Sequence, residues 1–230
     1  MKYLVDTANI ENIRKMYEYL PIAGVTSNPS IVKKEGKIDF FEHMRTIRSI
    51  IGPDSDLHIQ VTADTYEGML ADADAIVSQV DPQVYIKVPT TMLGLKVMKA
   101  LKAKGLRVTA TAIYTSYQGM LALEAGADYL APYYNRMENM EIDPEEVIAA
   151  LAEMIDRYGY QAKILAASFK NIGQVNKAFL AGAQTATMDP AILEAALSMP
   201  AIGKAVTDFN NDWRSIFGEK TIADLNSSDK

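Results

Sequence analysis

Short runs of β-branched and aliphatic residues alternate with longer segments of helical period along nearly the whole chain. Tyr3 to Asp6 is the first run, and Asn9 to Leu20 follows it with Ile10, Ile13, Met16 and Tyr17 on one helical face. Gly24 to Asn28 reads as a strand that must end at Pro29, Phe40 to Ile51 as a helix stopped by Gly52-Pro53, and Leu57 to Thr62 as the third strand. A helix over Tyr66 to Val80 leads to a fourth strand, Val84 to Pro89. Beyond it, four helix-like segments each end at a glycine that a strand soon follows. Gly105 precedes Val108 to Ala112, Gly126 precedes Tyr129 to Tyr133, Gly159 precedes Ile164 to Ser168, and Gly182 precedes Thr185 to Met188. Glycine after a helix can take the left-handed conformation that closes the last turn. The count is eight strands, each with a helix after it, and continuous apolar strands of this kind suit a parallel sheet covered by helices.

Eight such units within 230 residues predict an α/β fold, a closed (β/α)8 TIM barrel, which typically takes about 250 residues. The rival is an open doubly wound sheet. That fold usually carries a glycine-rich phosphate loop after its first strand, and Asp6-Thr7-Ala8-Asn9 does not resemble one. An additional C-terminal helix, Ala201 to Phe217, presents Ile202, Val206, Phe209, Trp213 and Phe217 at helical spacing. Its aromatic stripe suits packing against its own barrel or against a neighbouring subunit equally well. One domain is expected over 1–217 with a polar tail over 218–230, and Asn226 to Lys230 reads as disordered.

The fourth strand carries the residue on which the chemistry turns. Alternation puts Val84, Ile86 and Val88 on one face and Tyr85 and Lys87 on the other, so Lys87 points into whatever that second face encloses. A desolvated lysine has its pKa lowered, which leaves free amine to attack a carbonyl. Lys87 is therefore a candidate Schiff-base lysine. The plainer reading is a lysine on an edge strand or one snorkelling to solvent.

Composition narrows the field. A net charge of -6 and the lack of any Lys/Arg-rich run argue against a general nucleic-acid binder. With no cysteine, thiolate metal sites and disulfides are excluded, which suits a reducing cytoplasm. His43 and His58, the two histidines, lack the spacing of a transition-metal centre. The first residues do not form a signal peptide, and no apolar run approaches the ~20 residues of a membrane span.

In a barrel of this type, function gathers at the carboxyl ends of the strands. Those positions hold Asp6, Asn28, Gln60, Lys87, Thr111, Tyr133 with Asn135 and Arg136 beyond it, and Ser168 with Lys170 beyond it. Lys87 could form an imine with a ketone, and Asp6 could accept a proton from a substrate hydroxyl as a carbon-carbon bond breaks. Tyr133, with Gln60 and Thr111 holding a water, could move the remaining protons. Arg136, Ser168 and Lys170 suit a phosphate-binding end. Singly, each has a structural alternative: Asp6 as a cap for the helix from Asn9, Asn28 as a brace before Pro29, Thr111 as barrel filling.

The runs Asp6-Thr7-Ala8-Asn9, Gly24-Val25-Thr26-Ser27-Asn28-Pro29-Ser30, Ile86-Lys87-Val88-Pro89, Ala131-Pro132-Tyr133-Tyr134-Asn135-Arg136 and Ala166-Ala167-Ser168-Phe169-Lys170 resemble the short-chain transaldolase family, in its fructose-6-phosphate aldolase branch. The resemblance runs from Met1 to about Phe217 and keeps the order of all eight strands. It implies a class I aldolase barrel with Lys87 as the Schiff-base lysine and no metal or other cofactor. It further implies Asp6 as the acid/base, Asn28 lining the site, Gln60, Thr111 and Tyr133 around the catalytic water, and Arg136 and Ser168 on the sugar phosphate. Lys170 stands where transaldolases more often carry arginine. Sugar phosphates and dihydroxyacetone as partners, a cytoplasmic location, and rings of five subunits, commonly paired into decamers with the last helix over a neighbour, are also implied.

Transaldolases of this size generally have glutamate at the position of Gln60 and phenylalanine at that of Tyr133. A phenol beside the imine can help protonate the enamine and release the three-carbon ketone, so the pair favours reversible cleavage of fructose 6-phosphate. Transfer of the dihydroxyacetone unit between sugar phosphates is the alternative within the family. A barrel that merely binds sugar phosphates or serves as a scaffold is the alternative outside it. Tyr134, Met137 and Glu138 depart from the family pattern beside Arg136, which leaves the preferred aldehyde open.

Overall fold

Each strand carries its aliphatic side chains on one pleat and its polar or aromatic ones on the other, and helices cover the aliphatic pleat. Val5, Val25, Ile59, Ile86, Val88, Val108, Leu130, Ile164 and Met188 are all buried there. A computed structural model describes residues 1–226. Eight parallel strands close into a barrel in chain order. They are β1 (Lys2–Asp6), β2 (Ile22–Thr26), β3 (Asp56–Gln60), β4 (Tyr85–Pro89), β5 (Arg107–Ile113), β6 (Tyr129–Pro132), β7 (Lys163–Ala166) and β8 (Thr185–Met188). The expected (β/α)8 barrel is present, and β8 pairing with β1 excludes the open sheet.

The helices between the strands are α1 (Ile10–Tyr19), α2 (Pro29–Val32), α3 (Phe40–Ile51), α4 (Tyr66–Gln79), α5 (Met92–Ala103), α6 (Ser116–Glu124), α7 (Tyr134–Glu138), α8 (Pro144–Tyr158) and α9 (Ile172–Leu180). Side chains cap most of them. Asn9, Asp39, Thr65, Thr91, Thr115, Asp143 and Asn171 each accept a first-turn backbone N–H, each worth about 1 kcal/mol. Asn9 is thus the cap of α1, and Asp6 is free of that task. The four glycine stops take positive φ, from 69° at Gly159 to 109° at Gly182.

Several boundaries differ from expectation. β2 ends at Thr26, two residues before Asn28, because the Asn28 side chain caps α2. β3 stops at Gln60 and not Thr62, since the amides of Thr62 and Ala63 turn to the Asp72 carboxylate at 2.7 and 2.9 Å. β6 ends at Pro132 and β7 at Ala166, leaving Tyr133 and Ser168 just past the ladder. The short helices α2 and α7, at four and five residues, are too brief to show a period in the sequence.

The chain divides into two compact units, Met1–Ile192 and a second that begins at Leu193, whereas the sequence suggested one domain to residue 217. The helix α10 (Pro190–Leu197) crosses that boundary, and α11 (Pro200–Phe217) and a short α12 (Ile222–Leu225) follow. No residue of α11 is buried, and Val206 and Phe209 are 52% and 69% exposed. Trp213 Nε1 donates to the Lys220 carbonyl at 2.7 Å and ties the turn after α11 to the helix. Part of the predicted polar tail is therefore structured, with Asn226 capping α12; the rest of the segment expected to be disordered, 227–230, lies outside the described residues. No described helix is long and apolar enough to cross a membrane.

Inside the barrel, the lower half is filled by Leu4, Tyr129 and Leu165 with Tyr85 packed on them. His58 stacks on Tyr85 at 4.7 Å and meets the edge of Tyr129 at 5.1 Å. Its Nδ1 lies 2.8 Å from Thr109 Oγ1, while Nε2 has no hydrogen-bond partner among the described residues. Burial, and then the charges of Lys87 and Arg48, push this imidazole well below its ordinary pKa of 6.5. The imidazole beneath Lys87 is therefore neutral at neutral pH. Above it, α5 lies so close to the end of β4 that a Cβ on Gly94 would fall 1.8 Å from the Pro89 carbonyl oxygen.

Two outcomes are expected. His58 with a lowered folded pKa contributes stability that is full above pH 6.5 and lost as pH falls below it, at up to about 1.4 kcal/mol per pH unit. Urea unfolding at pH 7.5 and 5.5 should show a pH loss of stability that is about 1 kcal/mol smaller in His58→Phe than in the parent. An equal loss in both proteins removes His58 from the account. Gly94→Ala gains about 1 kcal/mol of helix propensity, but the backbone clash dominates and the net loss should be about 3 kcal/mol by denaturant unfolding.

Candidate active site

Lys87 lies on the inward pleat of β4, in register with Gln60 on β3 and Thr109 on β5. Its side chain is no edge or snorkelling lysine, being only 4% exposed. The Nζ donates to the Ser27 carbonyl oxygen at 2.9 Å, just beyond β2. A carbonyl is a neutral partner, so the ammonium has no direct counter-ion to offset its desolvation. Burial draws the Lys87 pKa down from its ordinary value, and the charge of Asp6 opposes this through space.

Asp6 shows the converse. Burial raises its pKa, while Lys87 and a hydrogen bond from Thr26 pull it back. Thr26 Oγ1 donates to Asp6 Oδ1 at 2.6 Å and lies 2.7 Å from Thr187 Oγ1. Thr26 has one hydroxyl hydrogen, which goes to Asp6, so Thr187 must be the donor in the second bond. Sequence reasoning missed both threonines, because threonine is an ordinary strand residue and their partners come from β1, β2 and β8.

On the far side of Lys87, β5 bulges between Ala110 and Ile113, with Ala112 at φ 56°. A bulge re-aims the residues beside it. Thr111, fully buried, brings its Oγ1 to 3.0 Å from the Tyr133 hydroxyl. Tyr133 leads into α7 and is joined to Ala167 by a single bridge. Burial raises the phenol's pKa above 10, more than Thr111 lowers it, so the phenol is protonated at neutral pH. Arg136 on α7 stacks over the Tyr133 ring with Cζ 4.8 Å from its centroid, and Nη1 donates to the Tyr114 hydroxyl at 3.3 Å. Tyr114 also sets its ring edge-on to Tyr133, centroids 5.7 Å apart. Nothing in the sequence singled out Tyr114.

Asn28 and Gln60 line a cavity of about 280 Å³ with Ser27, Phe40 and Thr62. Asn28 does brace the turn, since its Oδ1 accepts from Ile31 N at 3.1 Å. No hydrogen bond joins Gln60 to Thr111 or Tyr133 among the described residues. Ser168 takes φ 64°, and its carbonyl accepts from Asn135 N at 3.0 Å. Lys170 is exposed and is held through its backbone N–H to Gln174 at 2.7 Å. Hydrogen bonds and ring contacts join Thr111, Tyr133, Tyr114 and Arg136, and Asp6 acts through its charge on Lys87, Tyr133 and Arg136, while Ser168 meets α7 through its backbone and Lys170 is exposed. Among the described residues, no three of His, Cys, Asp or Glu gather as metal ligands.

Comparison with known proteins agrees with this geometry. A family model described as transaldolase/fructose-6-phosphate aldolase matches residues 3–228. A Streptococcus pneumoniae protein named "Probable fructose-6-phosphate aldolase" is 52% identical over 96% of this chain and all of its own length. Proteins of Agathobacter rectalis and Rhizobium meliloti, each named "Probable transaldolase", are 36% identical over 95% and 93% of the chain and over 100% and 96% of their own lengths. The chain belongs to the transaldolase/fructose-6-phosphate aldolase family.

Proposed function

We propose that the protein is a class I aldolase that reversibly cleaves fructose 6-phosphate to dihydroxyacetone and glyceraldehyde 3-phosphate through an imine on Lys87. The observation that carries this reading is the buried Nζ with a carbonyl as its only hydrogen-bond partner among the described residues. An amine so placed loses its proton more readily than a solvated lysine and is the nucleophile such chemistry needs.

The atoms balance as follows. The free amine adds to the C2 ketone, a proton is taken up from solvent and water leaves, giving a protonated imine whose later hydrolysis releases that proton. Asp6 takes the proton of the C4 hydroxyl, the C3–C4 bond breaks, and its electrons enter the imine as an enamine. Glyceraldehyde 3-phosphate departs, its phosphate held by Arg136 with Ser168 and Lys170 near that end. The Tyr133 phenol, through a water held with Thr111 and Gln60, returns a proton to the enamine carbon, and the proton held by Asp6 passes through water to restore the phenol and the carboxylate. Hydrolysis of the imine then frees dihydroxyacetone. Asn28 faces the cavity beside Ser27 and serves the substrate's hydroxyls. The imine is the electron sink, so this route draws on no metal or cofactor.

The relatives named transaldolases support a second reading, transfer of the dihydroxyacetone unit to another aldehyde. The Thr111–Tyr133 hydrogen bond favours release, because it positions a phenol that burial keeps protonated. We also propose a cytoplasmic homo-oligomer, a pentamer or decamer as the resemblance implies. The exposed apolar stripe of α11 supports an assembly in which that stripe meets another copy.

Borohydride trapping with dihydroxyacetone should add one ketone-sized adduct, on Lys87 by peptide mass spectrometry. In Tyr133→Phe the adduct should persist while dihydroxyacetone release falls by about 100-fold and transfer to an added aldehyde survives. No adduct, or one on another lysine, would sink the imine reading. Asp6→Asn tests the electrostatics separately. The Asp6 charge raises the Lys87 pKa, so its loss should move the inflection of trapping rate against pH to lower pH. An unmoved inflection would show that Asp6 does not act on the amine.

A further inference from the structure

We propose that Tyr114 is the positioning residue for Arg136 and so sets the preference for phosphorylated over unphosphorylated acceptor aldehydes. The inference rests on the reading of Arg136 as the phosphate ligand given above. Arg136 is exposed, on a helix of five residues. An arginine in that setting has many rotamers open to it, and capturing a phosphate would require giving them up. Two aromatic groups remove that freedom in advance. The guanidinium carbon lies over the Tyr133 ring, 4.8 Å from its centroid, and the Tyr114 hydroxyl accepts from Nη1 at 3.3 Å. This occupies one N–H of the five on the guanidinium, which leaves others for paired hydrogen bonds to phosphate oxygens.

Tyr114 can do this only if it is itself fixed. Its backbone N–H donates to Gln118 Oε1 at 3.0 Å. The amide nitrogen of Gln118 donates in turn to the carbonyls of Thr90 and Ala112, at 3.0 and 3.3 Å. One glutamine thus ties the residue after β5 to the chain end of β4 and to the bulge. The ring of Tyr114 meets that of Tyr133 edge-on at 73°. A single side chain therefore touches both the phenol that serves proton transfer and the arginine that faces phosphate. Removing its hydroxyl should affect the second partner and spare the contact with the first.

The test is Tyr114→Phe in aldol addition of dihydroxyacetone to glyceraldehyde 3-phosphate and to D-glyceraldehyde. The KM for the phosphorylated aldehyde should rise about five- to tenfold, with kcat changed by less than about twofold, and the KM for D-glyceraldehyde should move by less than about twofold. Calorimetric titration with inorganic phosphate should weaken by a similar factor, a readout that needs no turnover. Tyr114→Leu, which also removes the ring, should add a fall in kcat for both aldehydes. Equal rises in the two KM values, or none, overturn the assignment. Arg136→Ala separates this failure from that of the underlying reading. If it discriminates between the aldehydes while Tyr114→Phe does not, only the Tyr114 role falls; if Arg136→Ala does not discriminate, the phosphate reading falls and the Tyr114 role with it.

Discussion

An ammonium held in a protein interior by a single backbone carbonyl is the constraint around which this barrel is arranged. A buried charge without a counter-ion is unfavourable, so everything near Lys87 must either tolerate the charge or favour its loss. The floor tolerates neither sign. His58 is neutral and stacked between tyrosine rings, and Leu4 and Leu165 complete an apolar plug. Asp6 supplies the opposing charge from a distance, and the Lys87 charge in turn favours the ionised form of Asp6. The two shifts have a common origin in burial, and each group's charge limits the other's. The protonation of the site is thus a property of the pair.

That sensitivity explains why the strand end is built rigidly. Lys87 is two residues from Pro89, and α5 rests on the Pro89 carbonyl with no room for a methyl group at Gly94. Beyond it, the amide nitrogen of Gln118 anchors the Thr90 carbonyl. Small displacements here would change both the solvation of the amine and its distance from Ser27. At Gly94 the contact is with backbone, which side-chain rearrangement cannot relax.

Much of this was legible in the sequence, for identifiable reasons. The eight strands announce themselves because short apolar runs between helical segments suit a parallel sheet covered by helices, and their number points to closure. Gly105, Gly126, Gly159 and Gly182 mark helix ends because left-handed backbone is a local requirement. Lys87 stood out because alternation alone fixes the side of a strand on which a residue falls. The losses are equally physical. Asn28 was placed at a strand end with bracing of the turn before Pro29 as its alternative, and it is that turn, as the cap of α2, that its side chain serves. Thr26, Thr187, His58 and Tyr114 could not be found because their meaning lies in partners on other strands and loops. Ser168 and Lys170 sit next to the right strand, but sequence adjacency does not aim a side chain, and it is the backbone of Ser168 that meets the neighbouring loop.

The order of hydroxyls behind Asp6 has a geometric consequence. With the Thr187 hydrogen directed at Thr26 and the Thr26 hydrogen directed at Oδ1, the wall of the barrel presents only donors to that carboxylate. A proton acquired by Asp6 cannot be passed backward along this chain without reversing both rotors. On the side of β2 and β8 the carboxylate therefore meets a hydroxyl whose hydrogen is already committed to it, and a proton reaching Asp6 must come from another direction.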